Sequence, residues 1–301
     1  MAQEPRNIYG QCLMELAEKD KNIVVLDADL SSSTKTAMVK KVDPSRHFNA
    51  GIAECNMMGM AAGLASSGKI AFASSFAVFA TGRPFEVIRN SICYPNLNVK
   101  VCATHAGLTV GEDGASHQAI EDIAIMRCLP NMRVFVPCDQ YQTRTVINYV
   151  AYSDGPCYVR MPRGKAEDVY NENTVFDFNK ADVVRVGKDI VLFATGLMVE
   201  EALKAGEELD ATVVNICSIK PIDKDTIIEQ LGKHKKAYAL EEHSIIGGLF
   251  SAVSEVKAQT SVATPLYPIG VNDEFGQSGK ALEVLDFYGL TSKHIVEKIK
   301  G

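Results

Sequence analysis

The chain has 301 residues, 47% of them hydrophobic and 23% charged, a length that fits two domains and a composition that buries real cores rather than staying disordered. Its formal net charge of −6 gives no electrostatic reason to expect nucleic acid, though it says nothing about a local basic cleft for a small anion. Residues 1–10 are polar and lack the apolar core of an export signal, and no apolar run approaches the ~18 residues that span a bilayer, so a cytoplasmic location without membrane contact is expected.

In chain order, 8–17 has the apolar spacing of an amphipathic helix, and 23–26 reads as a buried strand running into Asp27 and Asp29. The polar turn 31–34 is placed to cap a helix near 35–42. A helix over 54–67 is rich in Met, Ala and Gly, and the four-residue spacing of Gly59 and Gly63 predicts close packing against another backbone, inside the fold or at an interface. A strand over 70–76, a helix over 84–92 and a strand over 98–104 follow, and the last opens into a glycine-rich loop, 106–116. Gly107, Gly111 and Gly114 let that loop turn tightly. Helix (117–127), strand (133–137), helix (141–152) and strand (157–161) complete a first alternating unit.

The polar, acidic and aperiodic stretch 163–182 reads as a connection between domains 1–175 and 176–301. The second unit has strands at 190–194, 212–216, 237–240 and 266–269, with helices at 199–209, 223–231, 247–257 and 291–300. Alternation of this kind predicts an α/β protein made of two doubly wound, mainly parallel-sheet domains. The eight cysteines form no C-x-x-C pair and sit in apolar stretches, so they are expected to be reduced, small core residues and not metal ligands.

Ligands of open α/β sheets sit beyond the carboxyl ends of the strands, which puts 27–34, 76–83, 105–117 and 161–163 on the functional edge of the first unit. The second unit offers Thr195, Ser218, Lys220 and the run Glu241, Glu242, His243. A loop holding His105, Glu112, Asp113, His117 and three glycines is more than a connection. Neither G-x-G-x-x-G, a P-loop nor G-x-S-x-G is present, and the spacing of His105 and His117 is not diagnostic of a metal.

From Gly51 the sequence reads GIAECNMMGMAAGLA, and from Ile92 it reads ICYPNLNVKVCATHAGLTVGEDGASHQAIEDIA, with R-x-P-R-G starting at Arg160. These segments resemble the pyrimidine-binding domain of transketolases, and the remainder is similar to their C-terminal domain. The resemblance implies a thiamine-diphosphate enzyme that moves two-carbon ketol units between ketose and aldose phosphates of the pentose phosphate pathway. By the same resemblance Glu54 is the cofactor-activating carboxylate, hydrogen-bonded to the aminopyrimidine, and Phe76 and Phe79 pack on that ring. Asp29 resembles an aspartate near the cofactor and the subunit interface. Arg6, Ser33, His105 and Arg163 match the family's phosphate clamp, Asp113 its contact to the C2 hydroxyl, and His117 the histidine that polarises substrate and shuttles protons.

The family's GDG…N motif, which binds the diphosphate through Mg²⁺ or Ca²⁺, has no counterpart here, because GEDG at Gly111 lies in the substrate loop without a following Asn at the right distance. The resemblance therefore implies a split enzyme. A separate N-terminal subunit of roughly 270 residues would hold the metal and diphosphate, and the complex would be an α2β2 heterotetramer. Two neighbouring families compete. Deoxyxylulose-phosphate synthases carry D-R-A-G where this chain has Thr104, His105, Ala106 and Gly107, and 2-oxoacid dehydrogenase β subunits lack the GEDGASHQ loop. A non-catalytic subunit on the same fold is the remaining alternative, against which Glu54 and His117 are both retained.

Overall fold

The computed structural model describes residues 3–301 and alternates strand and helix throughout. The first sheet contains β1 (Ile23–Asp27), β2 (His47–Asn49), β3 (Ile70–Ser74), β4 (Val99–Ala103), β5 (Arg133–Phe135) and β6 (Cys157–Arg160). The second contains β7 (Asp182–Arg185), β8 (Lys188–Ala194), β9 (Ala211–Asn215), β11 (Lys236–Ser244) and β12 (Leu266–Val271). The twelfth strand, β10 (Ser218–Lys220), leaves the second sheet and pairs antiparallel with β5. The orders are β10-β5-β6-β4-β3-β1-β2 and β12-β11-β8-β9-β7. All pairings are parallel except β10 with β5 and β7 with β9, so each sheet ends in one reversed edge strand. Strands β1, β4, β6 and β9 are buried along their whole length, as strands with helices on both faces must be.

The helices of the first domain are α1 (Pro5–Lys19), α2 (Ser31–Thr34), α3 (Glu54–Ser66), α4 (Ala77–Gly82), α5 (Phe85–Val87), α6 (Asp122–Arg127) and α7 (Gln140–Ala151). Those of the second are α8 (Met198–Leu209), α9 (Lys224–Lys233), α10 (Leu249–Lys257), α11 (Ala281–Phe287) and α12 (Ser292–Lys300). One apolar cluster runs from Val24 and Met57 through Val134 and Ile219 to Val253, so the core crosses the boundary between the two sheets.

Several expectations change. The helix expected over 35–42 is a 3₁₀ run, Thr36–Lys41, because Lys35 turns into the left-handed region at φ 67°. The helix expected from residue 117 begins at Asp122, since the preceding residues are held in turns by a bridge between Ala106 and Ala119. The segment 84–92 is α5 followed by a π-helical run, Ile88–Cys93. Two cysteines, Cys55 and Cys128, are exposed where core positions were expected; the other six are buried, and all eight are free thiols. Gly59 and Gly63 are exposed with nothing within 4 Å of a would-be Cβ, so any backbone they pack against lies outside this chain.

Candidate active site

Three chain segments that follow strand ends meet at one place. After β3, Phe76 is extended (φ −68°, ψ 148°) and immediately precedes the first turn of α4. Phe76, Phe79 and Arg83 then fall three and seven residues along one helical face. After β4, His105 sits at φ 58°, a conformation a side-chain-bearing residue rarely takes, which marks a constrained functional position. Its ring stacks on Phe76 with centroids 3.8 Å apart and planes 24° from parallel. His117 closes the cluster edge-on to Phe79 at 5.2 Å, and Phe76 and Phe79 lie 6.2 Å apart in stacked orientation.

Glu54 opens α3 beside this aromatic floor. It is 3% exposed, and its Oε2 accepts from Arg83 Nη1 at 2.9 Å. Its Oε1 has only a long 3.5 Å contact from Ser75 Oγ. A buried carboxylate with one cation and one loosely held oxygen is unusual, because burial of an ionised group demands partners. Arg83 itself is half exposed and also lies 4.3 Å over the ring of Phe79.

His105 is 3% exposed with Nδ1 2.8 Å from Thr104 Oγ1. Burial, then the charges of Arg6, Arg163 and His117, push its pKa down to about 3, so the ring is neutral at working pH. Arg163 stands at the rim, donating to Val110 O at 2.7 Å, with Glu112 at 3.4 Å and Asp113 at 3.8 Å. His117 Nδ1 is 2.9 Å from Ser116 Oγ.

Of the residues singled out from sequence, Glu54, Phe76, Phe79, His105 and His117 form one cluster, with Asp113 and Arg163 at its edge. Arg6 and Ser33 do not touch it. Arg6 donates Nε to Glu4 at 2.9 Å, although its charge is felt at His105. Ser33 lies on α2, which packs on α1, and its N–H closes on Leu30 O. Asp29 is exposed and is held by Asn49, whose Nδ2 donates to its carboxylate at 3.0 Å. Arg83 was not singled out, and the signal for it was its place on the same helical face as the two phenylalanines.

The donor set fits one half of a bound heteroaromatic cofactor: a flat apolar floor for a planar ring, and a carboxylate with a loosely held oxygen for a ring nitrogen. Among the described residues no group of three or more His, Cys, Asp or Glu is arranged to hold a metal ion, and no helix is long and apolar enough to cross a membrane.

Residues 2–168 match the family described as transketolase, pyrimidine binding domain, and 179–295 match transketolase, C-terminal domain. A protein of Methanocaldococcus jannaschii described as a transketolase C-terminal section is 53% identical over 98% of this chain and 94% of its own length. A 6-deoxy-6-sulfo-D-fructose transketolase subunit of a Clostridium species is 39% identical over 97% of this chain and 92% of its own. Among solved structures, a split-gene transketolase described as an inactive β4 tetramer superposes with a TM-score of 0.90 at 48% identity, covering 98% of this chain and 97% of that one.

Proposed function

The chain belongs to the transketolase family, and from that premise we propose that it is one subunit of a thiamine-diphosphate-dependent transketolase completed by a second polypeptide. Its reaction is transfer of two-carbon ketol units between ketose and aldose phosphates of the pentose phosphate pathway, in the cytoplasm. The second polypeptide is the N-terminal subunit with the GDG…N motif, which takes most of the contact to Mg²⁺ or Ca²⁺, in an α2β2 assembly. The observation that carries this reading is Glu54, buried at the start of α3 and joined through Arg83 to Phe79 of the stacked aromatic pair. Support for two chains comes from a relative named as a subunit and a structural neighbour described as split-gene, each matched over nearly its full length.

Thiamine diphosphate, when bound, supplies the electron sink that carbon–carbon cleavage needs. This chain's residues do the rest. Arg83 occupies Glu54 Oε2, which leaves Oε1 as the oxygen for the pyrimidine ring nitrogen. Phe76 and Phe79 offer their faces to that ring and exclude water from it. His117 is placed to move a proton at the substrate's hydroxyl and carbonyl oxygens, and Asp113 to hold the C2 hydroxyl. His105, neutral, donates or accepts a hydrogen bond without adding charge. Arg163 holds the far-end anion, and Arg6, whose charge reaches His105, and Ser33 complete the clamp once substrate is bound.

The test is to purify the chain with its co-eluting partner and assay it with thiamine diphosphate, Mg²⁺, xylulose 5-phosphate and ribose 5-phosphate. Formation of a seven-carbon sugar phosphate supports the reading. Turnover only with 6-deoxy-6-sulfo-D-fructose would keep the chemistry and move the donor to a sulfonate-ended sugar, as the name of the 39% relative invites. No turnover with any ketose donor would overturn it.

A further inference from the structure

Glu242 lies on β11 of the second sheet, is 2% exposed, and reaches across the domain boundary to the loop that carries His105, Asp113 and His117. Its Oε2 accepts two hydrogen bonds from Thr109, one from the backbone N–H at 3.1 Å and one from Oγ1 at 2.9 Å. Its Oε1 has no hydrogen-bond partner among the described residues and lies 3.9 Å from Arg160 Nη1. Arg160 is committed elsewhere: Nε donates to Asp122 at 2.8 Å, and Nη2 to the carbonyls of Ala119 and Glu242 at 3.2 and 3.1 Å. The loop admits the carboxylate only because residue 107 is glycine, at φ 76°, since a Cβ there would stand 2.3 Å from Glu242 Cδ.

The loop is built of short hydrogen-bonded turns, such as Gly114 N–H to Gly111 O at 3.0 Å and His117 N–H to Gly114 O at 2.9 Å, with no long regular element. It contains a single 3₁₀ turn, Leu108–Val110, and one isolated bridge, between Ala106 and Ala119. His105, Gly107, Gly111 and Gly114 all have positive φ, so its course is not a backbone default. Gln118 Nε2 closes the loop on itself by donating to Leu108 O at 3.0 Å, and it also donates to Gln277 O of the second domain at 3.1 Å. Glu242 holds the 3₁₀ turn between the two histidines through the N–H and hydroxyl of Thr109. A buried acid of this kind is weak as a source of stability, because its desolvation offsets its attractions, but it fixes one arrangement and no other.

We infer that Glu242 is a positioning residue for the reaction: from the second domain it sets the turn at Thr109, and through that turn the relative placement of His105, Asp113 and His117. The inference deepens the proposed function and rests on it for the activity readout.

The experiment compares Glu242→Gln, Thr109→Val and Thr109→Ser in the two-chain complex, by hydrogen exchange of 105–117 and by steady-state kinetics. Thr109→Val removes one of the two donors without removing volume, and it stays informative should Glu242→Gln misfold. Misplacement of reacting groups costs up to ~100-fold per ångström, so kcat is expected to fall about tenfold or more in Glu242→Gln and Thr109→Val. KM for xylulose 5-phosphate should rise as well, because His105 of the clamp and Val110, which accepts from Arg163, belong to the displaced segment, whereas the loss of kcat should persist with hydroxypyruvate, a donor without a phosphate. Loop exchange should rise while exchange in α8 and α12 does not, and Thr109→Ser, which keeps both donors, should restore both properties. Unchanged loop exchange, a kcat loss no larger than the unfolded fraction, or failure of Thr109→Ser to rescue would each overturn the inference. Absence of ketol transfer in the unmodified complex would defeat the proposed function, and loop exchange alone would then uphold or overturn the assignment of Glu242.

Discussion

Glu54 and Arg83 differ in a way that sets the outcome of changing either. The carboxylate is buried, whereas the guanidinium is half exposed and can be solvated when its partner loses charge. Glu54→Gln should therefore leave folding and subunit assembly intact while abolishing turnover, checked by gel filtration and by the assay above; near-normal turnover would remove Glu54 from cofactor activation. At the rim, Arg163→Ala removes a charge-assisted contact of ~1.5–3 kcal/mol, or about 10- to 100-fold in KM for phosphorylated donors. Hydroxypyruvate, which has no phosphate, should lose far less, and equal losses on both donors would place Arg163 outside the clamp. His105 carries a pH signature. Its folded pKa, about 3, lies below its unfolded value of roughly 6.5, so the unfolded chain takes up the proton first and stability falls as pH drops between those values. In urea titrations His105→Asn should lose less stability than the parent between pH 7 and pH 4, and parallel losses would show that His105 is not buried neutral. Residue types in motifs were readable before the fold was: Glu54, Phe76, Phe79, His105 and His117 are far apart in sequence yet share one cluster. Arg83 was not readable, because its meaning depends on where α4 begins, and α4 is too short to announce itself by periodicity.

Among the elements, legibility follows length and burial. Continuous apolar runs such as 99–103 and alternating helical faces such as 198–209 carry enough positions to set a period. Strands β2 and β10 have three residues each, like β5, but lack the longer apolar run, 134–136, that marks β5. Edge strand β7 is only half buried and so lacks the apolar signal. The false start of α6 has a different cause: the residues before it have helical composition, but Gln118 is drawn into tertiary hydrogen bonds that a helix would break. The opposite case is α7, whose N-cap Asp139 accepts from Gln142 N at 2.8 Å and also from the backbone N–H groups of Val169 and Tyr170 at 2.9 and 2.7 Å. One side chain thus ties a helix start to the stretch that leads into the second domain. Asp139→Ala should cost roughly 2–4 kcal/mol, a cap plus stranded donors, measurable as a lower urea midpoint with an unchanged slope. A loss under about 1 kcal/mol would mean that water replaces the carboxylate.

For the molecule as a whole, the two sheets share more than a connection. Strand β10 completes the edge of the first sheet at β5, and the apolar cluster passes without a break from one domain into the other. A fragment ending at residue 175 would leave β5 as an open edge with unpaired backbone groups. Such a fragment should aggregate on gel filtration, whereas adding 218–220 within the intact second domain prevents it; a monomeric, well-folded fragment would show that β10 is dispensable. The antiparallel strand also bears on how such chains can be cut and rejoined. A seam chosen by domain boundary would sever the strand from the sheet it completes, so grafting a foreign second domain onto this first one carries β10 along whether or not its register suits. Shuffling between relatives is therefore constrained to keep residues 133–135 and 218–220 from the same parent, a linkage invisible to any scheme that counts domains as separate cassettes.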